Sequence, residues 1–162
     1  MNTAYLLLGS NMGDRSGYLK RATQLLLEAG CMVTKKSDVY VAEAWGHREQ
    51  EAFLNQVLLV ETALDPQNLL STILALELQM GRQRFDKWHQ RIIDIDILFY
   101  GDQRINLPDL NVPHPHIAER RFTLVPLAEM APEFVHPECN KTMKEMLDEC
   151  SDPLKVQLFQ ED

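Results

Sequence analysis

Two aspartates, Asp94 and Asp96, interrupt the apolar run RIIDIDILFY at residues 91 to 100. Side chains alternate faces along a β-strand, so both carboxylates point the same way, about 6.5 to 7 Å apart along the backbone, while Ile93, Ile95 and Ile97 fill the other face. Like charges held side by side raise each other's pKa unless cations neutralise them. Hard oxygen donors that leave room for water and substrate phosphates suit Mg²⁺. The spacing alone leaves a second reading open, an exposed edge-strand face carrying two solvated acids.

The neighbouring sequence supplies cations. Arg82, Arg84, Lys87 and Arg91 fall within ten residues, 82 to 91, shortly before the pair, and Arg120 and Arg121 follow later. Guanidinium groups together with a divalent ion complement a nucleoside triphosphate and neutralise the charge that develops in phosphoryl transfer. Charge runs are commonly just solvated surface, but Phe85 and Trp88 are interleaved here, and aromatics in a polar loop usually cover something. The chain as a whole carries a net charge of −8, which weighs against generic nucleic-acid binding. An acidic protein with short basic clusters points to a small polyanionic ligand. The GSNMGD stretch has neither GxxxxGK[ST] nor GxGxxG and reads as a turn. His114 and His116 flank Pro115 with no third ligand nearby, so a phosphate contact or a loop anchor fits better than a zinc site.

These residues need a frame, and the patterning provides one. AYLLL (4 to 8) is a strand, and YLKRATQLLLEAG is a helix closed by Gly30. Residues 31 to 41 read as one strand and FLNQVLLVET (53 to 62) as a long one. Asp65 and Pro66 form a cap and first-turn pair that opens a helix ending at Gly81. Residues 82 to 91 read as a mobile loop. The strand IIDIDILFY then turns at Gly101-Asp102 into a short return strand through Ile105, as a hairpin. Helices are expected around LVPLAEM and from Thr142 to about Glu149. The order β-α-β-β-α-β-β with later helices predicts an α+β domain with a ferredoxin-like core, a mainly antiparallel sheet between helical layers in a three-layer α/β/α arrangement.

At 162 residues, 45% hydrophobic and 25% charged, the chain is expected to fold as a single domain spanning 1–162. Cys31, Cys139 and Cys150 are odd in number and widely spaced, which argues against a disulfide framework or a thiolate metal site. The absence of a signal segment or a long apolar run predicts a cytoplasmic protein with no membrane association.

Several of these motifs together resemble a known family. LGSNMGDR (8 to 15), FLNQV (53 to 57), ELQMGRQRFDKWHQRIIDIDILFYG (77 to 101) and LNVPHPHIAERRFTLVPLAEMAPE (110 to 133) are similar, in order, to the 6-hydroxymethyl-7,8-dihydropterin pyrophosphokinases of folate biosynthesis. The resemblance implies transfer of the pyrophosphoryl group of ATP to the pterin hydroxymethyl oxygen, with AMP as the other product. It implies that Asp94 and Asp96 hold two Mg²⁺ ions on the triphosphate, with catalytic support from Arg82 and Arg91. Glu77, Arg82, Arg84, Arg91, Ile97, Asn111, His114 and Arg120 correspond to positions around ATP. Gly9, Ala42, Trp45, Phe53, Asn55, Trp88, Asp94 and Phe122 correspond to positions around the pterin. In that picture Asn55 reads the ring edge, Phe53 and Phe122 stack on its faces, and Gly9 and Ser10 lie in a loop bordering it. Arg84 and Trp88 belong to a lid that excludes water.

This chain departs from the family at a few places. Ala42, Glu43 and Ala44 stand where threonine and one or two prolines are common, Pro115 replaces a frequent tyrosine, and the 82–91 loop is about one residue short around Lys87. A single activity is expected, since the length leaves no room for a fused aldolase or pteroate synthase domain, and the protein is expected to be a monomer. Two rival readings use the same residues. One is a small ferredoxin-like RNA-binding or regulatory module gripping bases with Arg82, Arg84, Phe85 and Trp88, and the other a two-metal nuclease built on Asp94 and Asp96.

Overall fold

The computed structural model describes residues 1–42, 52–81 and 92–160. In chain order the elements are β1 (Asn2–Ser10), α1 (Arg15–Glu28), β2 (Cys31–Lys36), β3 (Tyr40–Ala42), β4 (Phe53–Thr62), α2 (Pro66–Gln79), β5 (Asp94–Tyr100), β6 (Ile105–Leu107), β7 (Leu110–Val112), a 3₁₀ turn (Ile117–Glu119), α3 (Arg121–Met130), α4 (Met143–Glu149) and β8 (Val156–Leu158). The helix starts follow local chemistry. Asp14 accepts from Gly17 N at the head of α1, and Asp65 accepts from Asn68 N with Pro66 behind it at α2. At α4, Thr142 and Glu145 form a reciprocal capping box.

The main sheet runs β5-β1-β4-β3-β8, with β2 pairing the far half of β4, and every pairing is antiparallel. This is the predicted ferredoxin-like order, in which the strand that closes the motif lies beside the first. Alternation divides the sheet into two faces. Leu6, Leu8, Leu54, Leu58, Ile95 and Ile97 belong to one buried cluster, which takes in Leu19 and Leu26 of α1 and Leu69, Ile73 and Leu76 of α2. Leu7, Val57, Leu98 and Phe99 belong to the other, packed on Leu124, Leu127 and Met130 of α3 and Met143 and Met146 of α4. Each fully buried leucine here contributes about 1.5–3 kcal/mol of transfer free energy, which fixes which face each strand turns to each layer.

Three elements differ from the sequence expectation. The strand expected over 31 to 41 is two, because the chain spends one residue more between Lys36 and Tyr40 than β4 does between their partners Leu58 and Asn55. Ser37 fills that bulge. Its N–H donates to Val57 O, and its Oγ accepts from Val57 N in place of a ladder carbonyl. The return strand expected to pair with β5 pairs with β7 instead, Ile105 facing Val112. The outer edge of β5 has other partners, since Glu77 accepts from Ile95 N and His114 N donates to Leu98 O. The third difference is β8, which has no clear signal in the polar tail and closes the outer edge of β3. Among the described residues no helix is long and apolar enough to cross a membrane.

Candidate active site

Antiparallel pairing places directly opposed residues on the same face. Gly9 stands opposite Asn55 on one side and opposite Asp94 on the other, and Asn55 in turn stands opposite Tyr40. Tyr40, Asn55, Gly9 and Asp94 therefore form one row across four strands. Neighbouring strands lie about 4.8 Å apart, so the row carries the Asn55 amide to within about 10 Å of the Asp94 backbone. Asp96 follows Asp94 on this face, and Phe53, opposite Ala42, precedes Asn55 on it. The face is the one that α3 packs on: the Tyr40 hydroxyl donates to Glu129 of α3, and Phe122 near the start of α3 packs against the same cluster.

Glycine at position 9 is what keeps the row open. A Cβ there would sit 3.0 Å from Asn55 Oδ1 and 3.6 Å from a Phe53 ring carbon. Asn55 itself is 3% exposed, and its Nδ2 has no hydrogen-bond partner among the described residues. A buried amide donor left unsatisfied costs about 1–3 kcal/mol, a cost a ligand acceptor at that point would remove. Gly9 and Ser10, expected in a bordering loop, are instead the last two residues of β1. Ser10 is fully buried, and by alternation its side chain lies on the opposite face, toward α1 and α2.

Asp94 and Asp96 are half-buried, with Ile93, Ile95 and Ile97 packed in the core behind them, so the alternation expected from the sequence holds. Each of the two makes further interactions of its own. Among the described residues no cluster of three or more His, Cys, Asp or Glu could cage a metal. Two carboxylates on a partly open face fit a hard cation that completes its shell with water and phosphate oxygens, as Mg²⁺ does. Glu77, near the end of α2, is 2% exposed, and its Oε2 accepts from Ile95 N at 2.8 Å. The carboxylate thus grips β5 at the residue between the two aspartates.

On the same edge of β5, His114 N donates to Leu98 O at 3.0 Å and His114 Nδ1 accepts from His116 N at 3.1 Å. That acceptor role leaves the ring proton on Nε2. Burial, reinforced by the charges of Arg120 and His116, pushes the His114 pKa down to about 4, so the ring is neutral at physiological pH. His116 Nδ1 lies 3.3 Å from Glu119, so the two histidines have separate partners rather than a shared ligand. The Arg120 guanidinium sits over the Phe122 ring, 5.7 Å from its centroid.

The structure thus brings Gly9, Asn55, Phe53, Asp94 and Asp96 onto one face, with Phe122 in the layer above it. Ile97, expected near the nucleoside, turns its side chain into the core on the other face, which leaves only its backbone for any ligand contact. Asn111 is exposed on β7. Ala42 is buried at the end of β3. Trp45, Arg82, Arg84, Lys87, Trp88 and Arg91 lie outside the described residues. Tyr40 escaped the sequence reading. Its one signal is that it alternates with Ala42 on the strand leading into the 43–51 segment, but its place beside Asn55 depends on the β3–β4 register.

Fold and site together define a class: a small antiparallel α+β domain in which one sheet face carries a buried amide, an aromatic ring and a carboxylate pair. Residues 5–132 match the 7,8-dihydro-6-hydroxymethylpterin-pyrophosphokinase family. The 2-amino-4-hydroxy-6-hydroxymethyldihydropteridine pyrophosphokinase of Aquifex aeolicus is 46% identical over 145 residues, 90% of each chain. That of Bacillus subtilis is 42% identical over 130 residues, 80% of this chain and 78% of its own. The chain belongs to this family. The same fold occurs in the Plasmodium falciparum HPPK-DHPS protein crystallised with pteroate, at a TM-score of 0.73 and 18% identity. That match covers 91% of this chain and 42% of the longer one.

Proposed function

We propose that this chain transfers the pyrophosphoryl group of ATP to 6-hydroxymethyl-7,8-dihydropterin, the reaction of its family in folate biosynthesis, on the face that carries Asn55, Gly9, Asp94 and Asp96. The observation that supports this assignment of the site is the Asn55–Gly9–Asp94 row, in which a buried amide with an Nδ2 unpartnered among the described residues stands two strands from the first of the two carboxylates on the same face. In the reaction the pterin hydroxymethyl oxygen forms a bond to the β-phosphorus. The bond from that phosphorus to the α-bridging oxygen breaks, AMP leaves, and the hydroxyl proton is lost.

Asn55 would pair its amide with the donor and acceptor edge of the pterin, a pairing that rejects rings lacking the matching groups. Phe53 and Phe122 would offer flat faces to the ring, and Gly9 would leave it room. Asp94 and Asp96 would hold Mg²⁺, two ions by the family likeness. Bound there, the metal would lower the pKa of the hydroxyl and neutralise phosphate charge. His114, neutral with its proton on Nε2, is suited to donate to a phosphate oxygen without titrating near pH 7, and Arg120 beside it adds fixed positive charge. Glu77 would keep the two aspartates in register by gripping Ile95 N. The same likeness gives Arg82 and Arg91 a part at the triphosphate, Arg84 and Trp88 a part in covering both substrates, and Ala42 and Trp45 a place beside the pterin.

AMP formation from ATP, Mg²⁺ and the hydroxymethyl pterin tests this reading. Wild type should make AMP only when the pterin is present, and Asp96→Ala should lose at least about 100-fold in kcat. A wild-type protein that binds the pterin yet releases no AMP, or an Asp96→Ala variant that keeps its rate, would refute it.

A further inference from the structure

The GSNMGDR turn ends in an arginine that the reaction described above does not use. Arg15 is half-buried at the start of α1, and its Nη1 donates to Ala52 O at 2.7 Å. Ala52 lies just before Phe53, the first residue of β4, so its carbonyl is outside the strand ladder. The Arg15 guanidinium also stands over the Phe159 ring, 5.9 Å from the centroid. Phe159 is packed against the main core, and its N–H donates to Val39 O at 2.9 Å. Just ahead of it, β8 pairs with β3, setting Leu158, Gln157 and Val156 opposite Tyr40, Val41 and Ala42.

These contacts join three distant parts of the chain at one place. Tail residues 156–159 hold Ala42 directly and Ala52 through Arg15. Ala42 and Phe53 face each other as the last pair between β3 and β4. A charge-assisted bond to a carbonyl is among the stronger polar contacts, and the planar guanidinium can make it while lying flat on a ring, which an ammonium cannot.

We propose that Arg15 and Phe159 form a brace that sets the Ala52–Phe53 backbone, and that both are positioning residues for the pterin. The proposal rests on placing the pterin at Phe53 and Asn55. Neither residue touches β5, the strand that carries Asp94 and Asp96, in the contacts given above, so the brace acts on pterin affinity and leaves the nucleotide alone. Releasing it frees the aromatic ring to sample orientations that do not stack, and binding then has to order it again.

The test compares Arg15→Met, which keeps the stem and loses the donors, with Phe159→Leu, which keeps apolar bulk and loses the ring. Arg15→Lys and Asn55→Ala are run beside them. Pterin KM is measured at saturating ATP and Mg²⁺, and pterin binding with α,β-methylene-ATP, with thermal unfolding as the check on folding. Arg15→Met and Phe159→Leu should each raise pterin KM on the order of tenfold, the worth of one such bond. Their kcat at saturating pterin and their affinity for the ATP analogue should stay at wild type. The double variant should be no worse than the more damaged single one, and Arg15→Lys should recover part of the loss. A purely structural role would lower kcat and melting temperature with KM unmoved, and that result would overturn the brace. So would wild-type pterin KM in both Arg15→Met and Phe159→Leu while Asn55→Ala binds poorly. Normal binding in Asn55→Ala would overturn the placement of the pterin itself, and the brace with it.

Discussion

Replacing Gly9 by alanine adds one methyl group to the middle of the proposed pterin floor, and its effects on folding and on binding should separate. Gly9 has no left-handed backbone to protect, so alanine there is unstrained, and the loss of glycine freedom in the unfolded chain stabilises by about 0.4–1 kcal/mol. Against this, the new Cβ meets Asn55 Oδ1 at 3.0 Å, and the amide must give by a few tenths of an ångström. A side chain pushed off its rotamer by such a contact costs about 0.5–1.5 kcal/mol, so net stability should change by no more than about 1 kcal/mol. Binding has no such compensation. On the proposed placement, the Asn55 amide would make its hydrogen bonds to the ring only from one position, each worth about 0.5–1.5 kcal/mol. Losing two amounts to about 1–3 kcal/mol, or roughly 5- to 150-fold in pterin kcat/KM. The methyl also narrows the space beside Phe53, 3.6 Å away. AMP release at varied pterin and saturating ATP gives the ratio, and thermal unfolding gives the stability. A Gly9→Ala enzyme with wild-type pterin kcat/KM would refute both the floor and the role of Asn55.

Two other perturbations read the outer edge of β5. Glu77→Leu should destabilise by about 1–3 kcal/mol in thermal or denaturant unfolding, because Ile95 N loses its acceptor in a buried setting, while Glu77→Gln keeps an acceptor and should lose clearly less. His114 is held neutral when folded, with a pKa near 4 against 6.5 for the free side chain, so the unfolded chain takes up the proton first. Its contribution to stability is therefore complete above about pH 6.5 and declines as pH falls toward 4; His114→Gln should flatten that part of a pH series of unfolding curves.

Much of the frame was legible because its causes are local. The Asp65-Pro66 start of α2 and the Thr142 start of α4 are fixed by side chains within a turn of where they act. The alternation DIDI put Asp94 and Asp96 on one face wherever the strand might pair, since period two is a property of the extended backbone. The hairpin expected after Gly101 failed for a nonlocal reason. A short strand does follow the turn, but it starts at Ile105 instead of ending there, and the β5 edge it would have joined is occupied by Glu77 and His114, which come from other parts of the chain. The bulge at Ser37 and the pairing of β8 are likewise invisible in hydrophobic spacing, because neither changes which residues are apolar.

The family motifs named Asn55, Phe53, Gly9 and the aspartates as separate stretches of sequence, and that naming needed no coordinates. Their common face and their order across it came from the registers of β1 with β4 and of β1 with β5. A register is a choice among pairings that are locally equivalent, settled by which residues can be buried together against the helices. The sequence by itself determined which residues could do this chemistry and which way each strand would turn them. The tertiary structure decided that Gly9 would stand between an amide and a carboxylate, and that Arg15, stacked on Phe159 of the tail, would reach the carbonyl just before Phe53.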